Sequence, residues 1–413
     1  MSRDHTTHEA PTRRDYVKYG GAVVGGGLLA GCTGDSDSGS TPTETSTEDS
    51  TETETATPED ESYSVTMSPV GEVEFEGVPE RITTYSNQYA DMVVAFGQKD
   101  ALQSIGFNEY WMPTYDRYYG ALPGVDFDTS DLTALWNDGM DKEVFYELDP
   151  DVVLMDPLWT ASFQGWDHDD VDEIEENVAP FFGNRYSREH NFEGTEYFTT
   201  DKYEYYTAWE LYGKVSDVFD ERERWSELKS VRDEVVSTIE SRLPPEEDAP
   251  SVGLVSFWDG EFSPYRLYQP GWGQSQYHHL NATDVFADSD RTYSENYEAS
   301  YDFEGMLEFD PDIILQFSGT NSPEDGDGSF QQSILDPIQN HPVGQELAAA
   351  QNDRIYPGGT AFQGPIWNII QIEIAAKQIY PETFGEFHMP AEVPEEERLF
   401  DRQRVADIIN GDF

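Results

Sequence analysis

Aromatic rings and a few arginines are the side chains whose types and places could do chemistry here. Tyr85, Trp111, Trp159, Trp258, Tyr265, Tyr268, Trp272 and Tyr277 fall at the ends of expected strands or in the loops after them. Open α/β sheets bind their ligands at such places. Arg185 and Arg266 join the rings as scarce cations in a very acidic chain. Flat rings with one or two guanidinium groups suit a bulky, partly apolar ligand that is anionic or rich in carbonyls. Any single ring is more simply used in packing, so the argument rests on the cluster. Groups for bond-making are not assembled in the same way. The chain carries no phosphate-binding or dinucleotide glycine pattern, no nucleophile elbow and no cysteine nucleophile. Of its 8 histidines, His168, His190, His278, His279, His341 and His388 lie in the expected folded part. Adjacent His278 and His279 point apart on a helix or a strand, so a shared metal would need other ligands. Carboxylates are too abundant to mark an acid–base pair. A binding protein is expected rather than an enzyme, with no cofactor or metal of its own.

The elements that must position these rings are announced by a phrase that occurs twice. Residues 143–155 read EVFYELDPDVVLM and residues 304–316 read EGMLEFDPDIILQ, with six of thirteen positions identical. Each copy reads as a short amphipathic helix opening on Glu143 or Glu304. Asp-Pro then breaks it, because proline disfavours helix for the residue before it. A β-branched apolar run follows, as in a strand buried on both faces of a parallel sheet. Two α/β lobes built alike are therefore expected.

Around each copy the pattern alternates between strand and helix. In the first half, strands are expected at 81–85, 101–107 and 179–182, and helices at 89–97 and 171–178. A looser stretch rich in aromatics and glycine lies between 110 and 136. From 221 to 243 apolar residues keep helical spacing (Trp225, Leu228, Val231, Val235, Ile239) until Pro244-Pro245 ends the run. This long helix stands between the two copies and is a candidate connecting rod between lobes, with an ordinary packing helix of the first lobe as the alternative. The second half opens with a strand at 251–258 and an aromatic, polar loop. It continues with helix at 333–350, a short edge strand at 354–356 and a closing helix at 363–380.

Composition bounds the partners. Lys+Arg number 24 against 83 Asp+Glu, a formal net charge of −59. Such a field repels nucleic acid and anionic membranes. The acid is spread along the whole chain, which fits a surface kept soluble in very high salt, as in a halophile. At the N-terminus, Arg13-Arg14 precede a short apolar stretch at 19–30, too short to span a bilayer. This has the layout of a twin-arginine export signal. The stretch ends in Leu29-Ala30-Gly31-Cys32, like a lipobox, and Cys32 is the only cysteine. A lipid on Cys32 would anchor the chain to the outer face of the cell membrane. Residues 33–62 are nearly all Thr, Ser, Glu and Asp, a solvated tether. The expected division is a signal at 1–32, a linker at 33–62, an N-terminal lobe at 63–200, an interlobe helical region at 201–245 and a C-terminal lobe at 246–413.

From Val78 to Pro381 the chain resembles the substrate-binding lipoproteins of ABC importers for iron–siderophore complexes, haem and cobalamin. The resemblance rests on Pro79-Glu80-Arg81-Ile82, on both Asp-Pro-Asp copies, on His341-Pro342-Val343 and on Asn352-Asp353-Arg354-Ile355-Tyr356-Pro357, with Gly358-Gly359-Thr360 and the final helix. It implies two α/β lobes with central, mainly parallel sheets, joined by one long helix, with the ligand in the cleft between them. It also implies that Glu143 and Glu304, each seven residues before the Pro of its copy, dock to arginines of the two permease subunits. The function implied is capture of a ferric siderophore or similar iron chelate by a monomer, with cobalamin, haem or a bare transition metal as alternative cargo. A chelatase-like metal enzyme on the same fold is the alternative of another class. The 110–136 segment and the 257–279 loop match no ligand signature of the family.

Overall fold

The computed structural model describes residues 62–189, 201–268, 271–287, 299–322 and 328–413. The chain divides into Met1–Ser62 and Tyr63–Phe413, and every element below belongs to the second unit. Arg13, Arg14, Cys32 and all but the last residue of the tether lie outside the described residues. Among the described residues no helix is long and apolar enough to cross a membrane.

Two sheets carry the fold. In the first, β3 (Ile82–Thr83), β4 (Leu102–Ile105), β5 (Thr133–Ala134) and β6 (Val152–Val153) run parallel in the order β5-β4-β3-β6. Phe181 extends this sheet by one parallel bridge to Val153. In the second, β7 (Ser251–Trp258), β8 (Glu261–Tyr265), β9 (Thr283–Asp284), β10 (Ile313–Gln316) and β11 (Ile355–Pro357) take the order β11-β10-β7-β8, and β9 also pairs with β7. The β7–β8 pair is antiparallel, Phe262 of β8 adds an antiparallel bridge to Tyr301, and the other pairs described in this sheet are parallel. Its tight turn at Asp259-Gly260, both at positive φ, falls inside the stretch expected as loop. A hairpin of β1 (Tyr63–Met67) and β2 (Gly71–Phe75) precedes both sheets, turning Val65, Met67, Val73 and Phe75 inward.

The repeated phrase folds the same way twice. Lys142–Leu148 and Phe303–Phe309 are seven-residue helices capped by Asp141 and Asp302. Each ends on an aspartate in the left-handed region, Asp149 at φ 44° and Asp310 at φ 40°. The following proline keeps that residue out of the right-handed helix, and aspartate tolerates the left-handed one. The aspartate after each proline then ties its strand to the start of the neighbouring one. Asp151 Oδ2 accepts the backbone N–H of Glu80 and Arg81 (3.0 and 2.9 Å), just before β3. Asp312 Oδ2 accepts the N–H and hydroxyl of Ser251 (both 2.8 Å), the first residue of β7. Within each lobe the repeated strand pairs with that same neighbour, Val152 beside Ile82 and Ile313 beside Val252.

The long helix runs from Arg222 to Arg242, twenty-one residues, or ~30 Å at 1.5 Å per residue. Leu228, Val231, Val235, Val236 and Ile239 are its buried stripe. It packs on Ala208–Val218, on Pro365–Ile379 and on Arg402–Asn410, the last a helix that follows the closing helix expected at 363–380.

Pro365–Ile379 is buried along its whole length. Its N-cap is Gly364, which offers no side chain. A Cβ there would stand 2.1 Å from the carboxylate that does the capping, Asp91 of the helix Asn87–Ala95. Asp91 Oδ2 accepts the N–H of Ile366 and Trp367 (2.9 and 3.3 Å), and Oδ1 accepts the hydroxyl of Tyr119 (2.7 Å). Burial raises the Asp91 carboxyl to about 7, against the opposite pull of these donors. Its folded value thus lies above its unfolded one, so its contribution to stability is full below the ordinary carboxylate range and is lost as pH rises through about 7. Asp91→Asn keeps an acceptor for the two amides and removes the titration. Melting curves across neutral pH should show the variant gaining on the wild type as pH rises. A difference independent of pH would remove this role from Asp91.

Candidate ligand-binding site

The parallel strands of the first sheet end on rings. Tyr85 lies two residues past β3, Phe107 two past β4 and Trp136 two past β5. The backbone ladder continues beyond the strands to hold them side by side: Gly106 N–H donates to Tyr85 O (2.9 Å) and Trp136 N–H to Gly106 O (3.1 Å). Trp159 follows β6 on the one-turn helix Pro157–Thr160, and Phe163 follows Trp159. Tyr85 is the centre of the group, with ring centroids 5.8 Å from Phe107, 6.2 Å from Trp136, 5.5 Å from Trp159 and 5.3 Å from Phe163. Trp159 and Phe163 meet edge to face at 4.6 Å. The Arg185 guanidinium lies 4.0 Å from the Trp159 ring centroid, a cation–π contact. These rings are partly open, and Phe107 is 37% exposed. Burial raises the Tyr85 hydroxyl pKa, with the Arg185 charge pulling the other way.

A strut ties the segment after β4 to the loop after β10. The stretch expected to be loose holds a helix, Asn108–Tyr119, despite Pro113 inside it. Tertiary packing overrides local propensity here: Tyr115 and Tyr118 lie against Trp367, at 5.0 and 5.1 Å between centroids. From this helix Arg117 donates to Thr320 O and Ser322 O in the loop after β10. The Tyr118 hydroxyl meets Thr320 Oγ1 at 3.1 Å, and Thr114 donates to Asn321 Oδ1 at 3.3 Å. A second crossing joins the loop after Phe181 to the other lobe. Gly273 N–H donates to Arg188 O (3.0 Å), and the Arg188 side chain reaches Ala361 O and the face of Phe362.

The structure brings together three of the residues chosen from the sequence, Tyr85, Trp159 and Arg185. Trp111 lies on the strut helix, and its side chain is outside the described residues. Trp272 and Tyr277 are 2% and 1% exposed and belong to the core, so they offer a ligand no surface. Trp272 packs on Tyr212, and the Tyr277 hydroxyl accepts the Gly359 N–H. Trp258 is 81% exposed at the β7–β8 hairpin tip and Tyr268 is 38% exposed. Neither makes a ring contact with the Tyr85 group among the described residues. Arg266 is half-buried after β8. Phe107, Trp136 and Phe163 complete the group without having stood out in the sequence as ligand residues. Their signal was position: two residues past a strand, or one turn past Trp159.

His278 is held down to about 4 by burial, and His279 sits between Arg232 and Glu240. No group of three or more His, Cys, Asp or Glu among the described residues is placed to hold a metal ion.

The chain belongs to the periplasmic binding protein family, whose sequence profile matches residues 82–360. No curated protein matches the sequence. Among solved structures it is similar to a periplasmic binding protein from Veillonella parvula (15% identity, TM-score 0.55, 79% of this chain and 94% of that one). It is similar also to the iron uptake ABC transporter substrate-binding protein PiuA of Streptococcus pneumoniae (17%, 0.53, 77% and 97%). A third is the petrobactin-binding protein YclQ of Bacillus subtilis (12%, 0.53, 78% and 99%). At these identities the likeness is one of fold.

Arg117 is 7% exposed and Thr320 is fully buried, so the bond between them is made out of reach of bulk solvent. Arg117→Ala leaves the Thr320 carbonyl without that donor, a cost of about 1–3 kcal/mol. The expected result is a lower melting temperature together with faster amide exchange at residues 319–322. Unchanged exchange there would mean the strut does not hold the loop.

Proposed function

We propose that this chain is the extracytoplasmic solute-binding protein of an ABC importer and that it captures a ferric siderophore or similar iron chelate. The observation that carries the reading is the group of Tyr85, Phe107, Trp136, Trp159 and Phe163 with Arg185 on Trp159, just past the strand ends of the first sheet. Rings and one guanidinium together suit a large chelate with apolar faces and peripheral negative charge. Trp258, Arg266 and Tyr268 are proposed as contacts from the second lobe. The named cargo of the similar structures, iron uptake and petrobactin binding, points the same way.

The rest of the reading is proposed with it. The lobes are 63–200 and 246–413 about the helical region 201–245. Export follows the twin-arginine route, a lipid on Cys32 anchors a monomer to the outer face of the membrane, and the acidic surface serves a halophile. Glu143 and Glu304 dock to the permease. Both are the second residue of equivalent seven-residue helices, and both are exposed. Neither has an ion pair with a described residue. Two like charges on like lobes can read a two-fold partner, fixing register more than adding affinity.

Tryptophan fluorescence of the whole chain, in molar salt, tests the cargo. Saturable quenching by one ferric siderophore is expected, weakened roughly five- to thirtyfold in Trp159→Ala if each stacked ring contributes on the order of 1–2 kcal/mol. Response to free zinc or manganese alone would replace the iron-chelate reading by a metal-importer one. The double variant Glu143→Ala/Glu304→Ala should bind the chelate as the wild type does and fail in uptake. Normal uptake by that variant would remove the docking role.

A further inference from the structure

Beside the Trp159–Arg185 pair lies a buried carboxylate hydrogen-bonded to the backbone of both residues. Asp156 is 1% exposed. Its Oδ1 accepts the backbone N–H of Leu158 (2.9 Å) and of Trp159 (3.1 Å), as the cap of the turn that presents Trp159. Its Oδ2 accepts the backbone N–H of Arg185 (2.8 Å). The Tyr203 hydroxyl bridges the two oxygens at 2.9 and 3.0 Å. Three separate stretches of chain thus meet on one side chain. The Arg185 loop is pressed against the Asp156 turn closely enough that a Cβ on Gly183 would stand 2.5 Å from the Met155 carbonyl carbon.

We propose that Asp156 is the positioning residue of the ligand site, its carboxylate fixing the Trp159 turn and the Arg185 loop in the one arrangement that lays the guanidinium on the ring. The ligand role of that pair rests on the function proposed above; the positioning role does not. Only the ionised carboxylate, with acceptor capacity alone, receives all four donors; a proton on either oxygen competes with an N–H already aimed at it. The titratable groups facing Asp156 are Tyr203, Tyr89, whose hydroxyl accepts the Asn184 N–H, and the Arg185 guanidinium; Tyr186 stacks on Tyr203. Burial raises the Asp156 carboxyl to about 6, and the four donors pull it down.

Two consequences of opposite sign follow. For the fold as a whole, a carboxyl raised above its unfolded value contributes most below the ordinary carboxylate range and loses that contribution as pH rises through about 6. Acidification through this group therefore does not unfold the protein. For the site, the ordered arrangement requires the charge, so local order and chelate affinity fall as pH drops through about 6. Loss of affinity in mild acid without loss of melting temperature is the signature.

The experiment uses the full chain in two readouts. Without ligand, the near-ultraviolet circular dichroism of Trp159, taken as the difference between wild type and Trp159→Phe, is followed against pH. A step near pH 6 is expected. Tyr203→Phe, which removes a donor favouring the charged form, should move the step to higher pH, and Asp156→Asn should abolish it. With a ferric tris-catecholate as probe, Asp156→Asn should bind on the order of tenfold more weakly at neutral pH. The ratio of the two affinities, in which the chelate's own protonation cancels, should approach one in mild acid. A step unmoved in Tyr203→Phe, or wild-type affinity in Asp156→Asn, overturns the proposal. A correct circular dichroism step with no chelate bound by any variant supports the positioning role and strikes instead at the proposed cargo.

Discussion

The fold depends on a helix capped from outside itself. Pro365–Ile379 is buried on every side, yet it carries Asn368, Gln371, Glu373, Lys377 and Gln378 into that interior. A buried polar group is costly unless paired, and each of these residues has at least one partner. Asn368 meets Trp209, Ser275 and Gln363; Gln371 accepts the Thr360 N–H; Glu373 takes Arg402 and the Leu399 N–H. Lys377 donates to Phe384 O and Gln378 to Pro357 O. Each bond can be made in only one register of the helix. The remaining debt is at its N-terminus, where free amides point at the first lobe, and Asp91 settles it. The helix that closes the second lobe therefore cannot shift without stripping partners from a buried carboxylate of the first.

A site between lobes tied in this way must be largely formed before its ligand arrives. Large hinge motion would have to break the Asp91 cap, the Arg117 strut and the Arg188 crossing together. In the proposed function, recognition then falls to side chains already in place, as in the Tyr85 group: rings braced edge to face against one another rather than awaiting a ligand to order them. What freedom remains belongs to exposed residues such as Trp258 at its hairpin tip.

How much of this the sequence revealed depended on whether the signal was local. The two Asp-Pro-Asp copies were legible because proline, aspartate and a β-branched run act within a few residues, and both folded as read. The long helix was legible for the same reason, its expected 221–243 becoming Arg222–Arg242. The helix Asn108–Tyr119 was not, since its own residues argue against it and the argument for it is Trp367, far away in sequence. The β7–β8 hairpin was legible in its Asp259-Gly260 turn but hidden by the aromatic residues around it. At the site, ring identity was readable and ring burial was not. Trp272 and Tyr277 look like Trp159 in sequence, but they occupy the core because the elements around them, not their own types, decide what faces water. Asp156 was invisible for a further reason: one carboxylate among 83 acidic residues stands out only once its four donors are seen to converge.

That scarcity of contrast bears on how such a chain could hold the anionic ligand proposed for it. A surface of net charge −59 repels anions at long range in dilute solution. In molar salt the screening length shrinks to about 3 Å, and only contacts made nearly atom to atom still count. The cations show the same economy. Arg81 and Lys142 are spent on surface carboxylates, Arg117 and Arg188 on carbonyls across the lobe boundary. Arg185 alone among these is laid on a ring within the aromatic group, where the ring shields one face of the guanidinium from water and a neighbouring carboxylate fixes its backbone. A guanidinium held there attracts at contact distance without needing a field to steer the ligand in. The site is suited to capture by fit, with charge acting only at the last step, and it is the kind of site an acidic surface permits.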